Sequence, residues 1–313
     1  MSSPLTDDHL DWLLEQLPVL AGRARTLEDL SGGLTNRNVK ITTADGIYVA
    51  RCVDTSRNLL QIDRACEYAN SVAAHQAGVG APVLDYRPDL GVLLLGYLDG
   101  KTLSNNDFQR PGVLAKAARA VRTLHEGPRF VNRFDMFERQ PAYLATIRRH
   151  GFAIPAGYHD HAEAFAAARR VLTAPDDAHG SLVPCNNDLL AGNFIEDGER
   201  IHLIDYEYSG NNDPCFELGN IWSECELSIE QLDELVTAYY GRPRPHKTAR
   251  AHLQGIVAKY GWTLWGCIQS GSSAIEYDFW DWAMERYEAA VAEFRSPGYH
   301  RLLDQVTAPD PRG

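Results

Sequence analysis

The chain has 313 residues, 44% of them hydrophobic, enough to bury a large core and more than one compact unit usually needs, so two lobes are expected. A formal charge of -12 and a pI near 5.4 argue against a nucleic-acid or anionic-membrane surface and favour a cationic small molecule as ligand. No apolar run approaches the ~20 residues of a membrane span, and the polar start MSSPLTDDHLDW lacks the regions of a signal peptide, so a cytoplasmic protein without membrane insertion is expected.

A short amphipathic helix is predicted near Asp8 to Leu17. From Arg25 to Val53 apolar and polar residues alternate around the turn signals Gly32-Gly33 and Asp45-Gly46, which predicts a three-stranded antiparallel meander. A helix from Leu59 to Ala77, ended by Gly78, and strands Val83 to Tyr86 and Val92 to Tyr97 complete a β-rich lobe over residues 1–98. Leu98 to Leu103, with Asp99-Gly100, reads as the hinge and puts a cleft there. Beyond it, VLAKAARAVRTLH and AEAFAAARRVL carry apolar residues at helical spacing, and residues 99–313 read as a larger, mostly helical lobe. The whole is an α+β, two-lobed architecture. One irregular stretch, Leu182 to Asn220, interrupts the helices, and Ala308 to Gly313 reads as a loose tail. The six cysteines (Cys52, Cys66, Cys185, Cys215, Cys225, Cys267) form no CxxC pair and are expected to be reduced packing thiols.

The irregular stretch holds the chemistry. Cys185-Asn186-Asn187-Asp188-Leu189-Leu190-Ala191-Gly192-Asn193 is followed by the apolar run Ile201 to Ile204, which ends at Asp205. Phosphoryl transfer from ATP needs a carboxylate to orient and deprotonate the attacking hydroxyl, and oxygen ligands to hold Mg2+ against the phosphates. Asp188, Asn193 and Asp205 supply those parts. In Leu30-Ser31-Gly32-Gly33-Leu34-Thr35-Asn36 the glycines let backbone N–H groups approach phosphate oxygens, and Ser31, Thr35 and Asn36 add donors; an ordinary hairpin uses the same glycine pair. Arg51 on the third strand is placed to reach the phosphates with Glu67 of the next helix holding it, Lys40 being the alternative contact; a surface ion pair would look the same. Trp262 and Trp265 share a helix face, and Tyr277 and Trp282 follow on the next helical segment. Such a stripe also suits a core. Together with Tyr208, Trp222 and Glu224 it makes an aromatic wall with one acid, which is the chemistry that holds a quaternary ammonium.

Over its C-terminal two thirds the chain closely resembles the choline/ethanolamine kinases, within the larger aminoglycoside-phosphotransferase and protein-kinase-like group; the β lobe resembles them more loosely, through SGG-x-[ST]-N and I-D-R-x-x-E. The family's C-H-N-D-L-x-x-x-N, followed by L-I-D-Y-E-Y-S-G-x-N-x-x-F-[DE]-x-x-N, is met here by CNNDLLAGN and LIDYEYSGNNDPCFELGN, with Glu224 in place of the later acid. The W-x-x-W pair is Trp262 and Trp265, and Ile275-Glu276-Tyr277 stands for I-E-[FY]. The resemblance implies a bilobal protein-kinase-like fold, use of ATP and Mg2+, and phosphorylation of the hydroxyl of choline or a related small amino alcohol. It implies Asp188 as catalytic base, Asn193 and Asp205 as Mg2+ ligands with Glu207 near the metal, and Arg51 with Glu67 as the phosphate-binding pair. Tyr208, Glu224, Trp262, Trp265, Tyr277 and Trp282 would line the amino-alcohol pocket. Three positions depart from the pattern: Asn186 replaces the family's His and is expected to act as a structural brace, and Cys225 and Ile229 stand where aromatic residues are usual. Competing readings are another acceptor within the group (ethanolamine, thiamine, an amino sugar or an aminoglycoside) and a catalytically silent nucleotide-binding module. The sequence leaves monomer or homodimer open.

Overall fold

Alternation of apolar and polar side chains shapes the amino-terminal part. Helix α1 (Asp7–Glu15) precedes strands β1 (Arg25–Leu30), β2 (Arg37–Thr43) and β3 (Gly46–Cys52), then helix α2 (Arg64–Gln76) and strands β4 (Val83–Arg87) and β5 (Val92–Gly96). The structure, a computed structural model, describes residues 7–30, 33–53, 58–173 and 182–308. Ser31 and Gly32 of the glycine turn, and the tail after Ala308, therefore lie outside the described residues. The five strands form one sheet in the order β1-β2-β3-β5-β4, each neighbouring pair antiparallel.

Side chains two apart along a strand share a face. Val39, Ile41, Ala50, Cys52, Val92 and Leu94 thus pack on one face against leucines of α1 and the turn after it, from Leu10 to Leu20. Arg51, between Ala50 and Cys52 and in register with Leu93, faces the other way and meets Glu67 of α2. α2 starts at Arg64 rather than near Leu59, because the Asp63 carboxylate caps it by accepting the N–H groups of Ala65 and Cys66, and Gln61 at φ +55° is off the helical path.

The predicted hinge is stitched to the irregular stretch. β6 (Lys101–Thr102) pairs with β8 (Phe194–Glu196), which pairs with β9 (Ile201–Leu203), and β7 (Val183–Cys185) pairs with β10 (Gly210–Asn212). Around these short hairpins lie α3 (Val113–His125), α4 (Met136–His150), α5 (Ala162–Leu172), α6 (Pro214–Glu224), α7 (Ile229–Tyr240), α8 (Pro245–Ser272), α9 (Phe279–Arg295) and α10 (Tyr299–Thr307). α3 and α5 coincide with the two segments whose periodicity predicts them. Tyr277 does not lie on a helical segment: Asp278 accepts the N–H of Asp281 as an N-cap, so α9 begins at Phe279 and Tyr277 stays in the loop before it.

α8, 28 residues long, is buried nearly all round from Ala249 to Gln269 and forms the axis of the helical part, against α4, α6 and α9. α6 crosses it at two glycines. A Cβ on Gly255 would stand 2.6 Å from the Gly219 carbonyl oxygen and 2.6 Å from the Trp222 ring, so only glycine permits this approach. The crossing holds α6, which carries Glu217, Asn220 and Glu224, against the Asp188 stretch. All six cysteines are free, and among the described residues no helix is long and apolar enough to cross a membrane.

Candidate active site

After Cys185 leaves the β7–β10 pair, Asn187 adopts φ +67°, a left-handed conformation that a short polar residue tolerates, and the chain turns there toward Asp188. Two residues of α6 hold this turn. Glu217, fully buried, accepts the backbone N–H groups of Asn186 and Asn187 at 2.8 and 2.7 Å, and Asn220 accepts that of Leu189 at 2.8 Å. Neither was assigned a role from sequence; the sign of it was their separation by one helical turn inside FELGN.

Asn186 braces two loops at once. Its Nδ2 donates to the carbonyls of Ile204 and Asp205 at 3.0 and 2.7 Å, while its Oδ1 accepts the Asp188 N–H at 3.1 Å. All three contacts are to backbone, so none needs the charge that a histidine could carry. Asn193 Nδ2 donates to the Asp188 carbonyl at 2.7 Å, and its own carbonyl accepts the Ile204 N–H at 3.0 Å. Asp188, Asn193 and Asp205 are therefore tied into one hydrogen-bonded unit, with Asp205 also left-handed at φ +64°. Burial, together with the fields of Asp205, Glu207 and Glu224, pushes the Asp188 carboxyl well above the usual carboxylate range, and Arg286 opposes this.

On the sheet side, two guanidinium groups face three carboxylates. Arg51 lies 2.8 Å from Glu67, 2.7 Å from Asp205 and 2.9 Å from Glu207. Arg64, unassigned in the sequence reading although it sits in the I-D-R-x-x-E phrase, bridges Glu67 at 2.7 Å and Glu207 at 3.2 Å. Its other nitrogen donates to Asn36 Oδ1 at 3.0 Å. Thr35 Oγ1 and Asn36 Nδ2 donate to Glu207, each at 2.9 Å, so Glu207 anchors the glycine turn, its oxygens taken by four side chains. Gln269 of α8 donates to the Leu34 carbonyl at 2.8 Å, fastening the turn to the helical part. A Cβ on Gly33 would stand 2.5 Å from the Asn36 carbonyl oxygen, so the turn's tightness demands glycine there. Lys40 points elsewhere, 3.4 Å from Glu28 and 4.9 Å above the Tyr97 ring.

The aromatic residues divide between wall and rim. Trp262 and Trp265 are only 3% and 6% exposed and belong to the helical core as much as to any recess. Trp265 Nε1 donates to the Tyr208 hydroxyl at 2.7 Å, and Tyr208 meets Trp262 with centroids 5.0 Å apart. Trp282, half-buried, packs on Trp265 at 5.1 Å. Arg139 of α4, which no sequence argument singled out, supports Tyr208 by lying 5.4 Å over its ring and 5.1 Å over that of Phe134. Glu224 reaches this cluster through Arg286, which is 2.6 Å from its carboxylate and stacked 3.6 Å over Trp282. Tyr277 stands apart at the rim, 45% exposed and edge-on to Phe279. Cys225 is buried with its thiol toward the Leu189 carbonyl, and Ile229 is exposed.

The fold recurs in known proteins. The profile of the Phosphotransferase enzyme family matches residues 26–250. The crystal structure of a choline/ethanolamine kinase family protein from Mesorhizobium loti is 34% identical with a TM-score of 0.82, the match covering 96% of this chain and 98% of that one. Protein LicA of Haemophilus influenzae is 28% identical over 270 residues, 82% of this chain and 97% of that protein. Choline kinase LicA from Streptococcus pneumoniae, 24% identical over 91% of this chain and 99% of that one, shares the fold at a TM-score of 0.77. The chain belongs to the phosphotransferase enzyme family and, within it, to the choline/ethanolamine kinase family.

Proposed function

We propose that the chain transfers the γ-phosphoryl group of ATP to the hydroxyl of choline or a closely related amino alcohol. The observation that supports this reading is the double attachment of Asn186, which joins the Asp188 N–H to the Asp205 carbonyl and so ties together the residues read as base and metal ligand. Tyr208, three residues beyond Asp205, extends that unit into the indoles of α8 and α9. The relatives named as a choline kinase and as a choline/ethanolamine kinase family protein support the same substrate class.

The donors beside Asp188 suit a hard divalent cation such as Mg2+, since all are oxygens. The Asn193 amide nitrogen is engaged by the Asp188 carbonyl, which leaves the amide oxygen for a metal, and Asp205 pairs with Arg51 through Oδ1 only. Mg2+ held by Asn193 and Asp205 would neutralise charge on the β- and γ-phosphate oxygens. Asp188 orients the substrate hydroxyl and takes its proton as that oxygen bonds to the γ-phosphorus and the bond to the β–γ bridging oxygen breaks, ADP leaving with the electron pair. Arg51, steadied by Glu67, donates to phosphate oxygens, and Thr35 and Asn36, held by Glu207, keep the described part of the glycine turn beside it. On this reading residues 1–98 form the nucleotide lobe and residues 99–313 the catalytic and substrate lobe of a cytoplasmic enzyme.

The test is ADP release coupled to a reporter, at fixed Mg2+-ATP, across choline, the N-methylated ethanolamines and ethanolamine. Stoichiometric ADP and O-phosphorylated product are expected for at least one of them. Absence of turnover on all of them ends the proposal.

A further inference from the structure

Resting on that reading, we infer that Arg286 is a specificity-determining residue which biases the recess toward a methylated, quaternary ammonium and against a primary one. The two features that would attract an ammonium beside this cluster are an acid and a half-buried indole, and one guanidinium engages both. Arg286 Nη2 is 2.6 Å from Glu224 Oε2, and its guanidinium carbon sits 3.6 Å over the Trp282 ring, one turn back on the same helix. Glu224 is therefore charge-neutralised where it stands. Lys259, half-buried on α8 and 4.0 Å over the Trp222 ring, adds a second positive charge close enough to feel the fields of Glu224 and Arg286.

A count of donors and acceptors sharpens the point. The Tyr208 hydroxyl already accepts from Trp265, and Nε1 of Trp262 and Nε of Arg286 are buried donors with no acceptor among the described residues. The cluster of Tyr208, Trp262, Trp265, Trp282 and Arg286 is thus rich in N–H groups and poor in acceptors. A primary ammonium brings three more N–H donors and needs oxygens to receive them. A trimethylammonium brings none; its charge is spread over methyl groups that pack on ring faces. Asp188 is an acceptor nearby, but the hydroxyl that is to be phosphorylated takes it. Arg286 thus acts through Glu224 and Trp282: it occupies Oε2 and neutralises the carboxylate, whose Oε1 accepts from the Ser223 hydroxyl at 3.3 Å, and it fixes the indole as a face for methyl groups.

The experiment compares kcat and KM for choline and ethanolamine in the wild type, Arg286→Gln and Arg286→Lys. The wild type is expected to favour choline in kcat/KM. In Arg286→Gln the choline-to-ethanolamine ratio should narrow by about tenfold, mostly through KM, as Glu224 becomes available to N–H donors and Trp282 loses its stack. Arg286→Lys keeps the charge on Glu224 without the planar stack and should retain most of the wild-type ratio. A ratio that stays the same or widens in Arg286→Gln, or a wild type that prefers ethanolamine, overturns the inference while leaving the kinase reading intact; no turnover on choline, ethanolamine or its N-methylated forms in the wild type sinks the kinase reading itself. If Arg286→Gln does not fold, as judged by circular dichroism, the wild-type series from ethanolamine through its mono- and dimethyl forms to choline decides, since kcat/KM must rise with each methyl group.

Discussion

The position of Asp188 depends on a side chain that never meets substrate. Glu217 is fully buried, and its two oxygens receive the N–H groups of Asn186 and Asn187 at 2.8 and 2.7 Å, directly before Asp188. Glu217→Gln keeps the shape but turns one acceptor into an NH2 group that faces a backbone N–H. A hydrogen bond to a charged group contributes about 1.5–3 kcal/mol, so losing one and weakening the other to a neutral bond should cost ~2–4 kcal/mol of folding stability. His125, 3.9 Å from Glu217 Oε1, is a donor when it contacts that oxygen and cannot replace it as acceptor for the two N–H groups. In urea the unfolding midpoint should fall with an unchanged m value. In the folded fraction kcat should drop by about 10- to 100-fold, since a shift of ~1 Å in a catalytic group can cost ~100-fold, while KM for ATP stays within about threefold. An unchanged midpoint would show that the carboxylate bonds contribute nothing, and a lowered midpoint with wild-type kcat would show that the loop keeps its place without them. Either outcome refutes the argument.

Asp188→Asn should lower kcat by about 10²–10⁴-fold. The same variant should melt at an equal or higher temperature in EDTA, because burial and the neighbouring Asp205, Glu207 and Glu224 disfavour the ionised Asp188 in the folded state and asparagine removes that cost. Gly255→Ala places a methyl group against the Gly219 carbonyl and the Trp222 ring, and should destabilise by about 1–3 kcal/mol in thermal denaturation by forcing α6 away from α8. Asp197, in the β8–β9 turn, is held below the usual carboxylate range by the Arg200 backbone N–H and by His202, so its contribution to stability is complete above about pH 4 and is lost as the pH falls through its folded value. Asp197→Asn should therefore melt below the wild type at pH 6, with the gap closing under acid; a gap that is constant with pH would disprove that origin.

What could be read from the sequence was what local pattern encodes. Period-two alternation gives β2 and β3 and puts Arg51 on the cleft face, and the spacing of Asp188, Asn193 and Asp205 around an apolar strand foretells their convergence. What could not be read was whatever depends on partners far along the chain. Glu217 and Asn220 look like ordinary polar positions of an apolar helix until the loop they hold, about 30 residues earlier, is folded onto them. Arg286 reads as a surface residue of α9, and only the packing of α6 against α9 around α8 shows it reaching Glu224. Tyr277 was misplaced for a local reason: an aspartate cap one residue later defines where the helix begins, and aromatic spacing carries no information about caps.

Asp205 and Asn187 both sit in the left-handed region, at φ +64° and +67°. That backbone strain narrows the set of substitutions open to the protein. Glutamate at position 205 would preserve charge, yet it meets a backbone penalty of roughly 1–2 kcal/mol that asparagine or glycine escapes more easily. On the metal role proposed for Asp205, the easiest mutational exits from this position therefore lead to chains that keep the backbone turn and lose the metal ligand. A lineage drifting here would lose its activity well before it lost its shape.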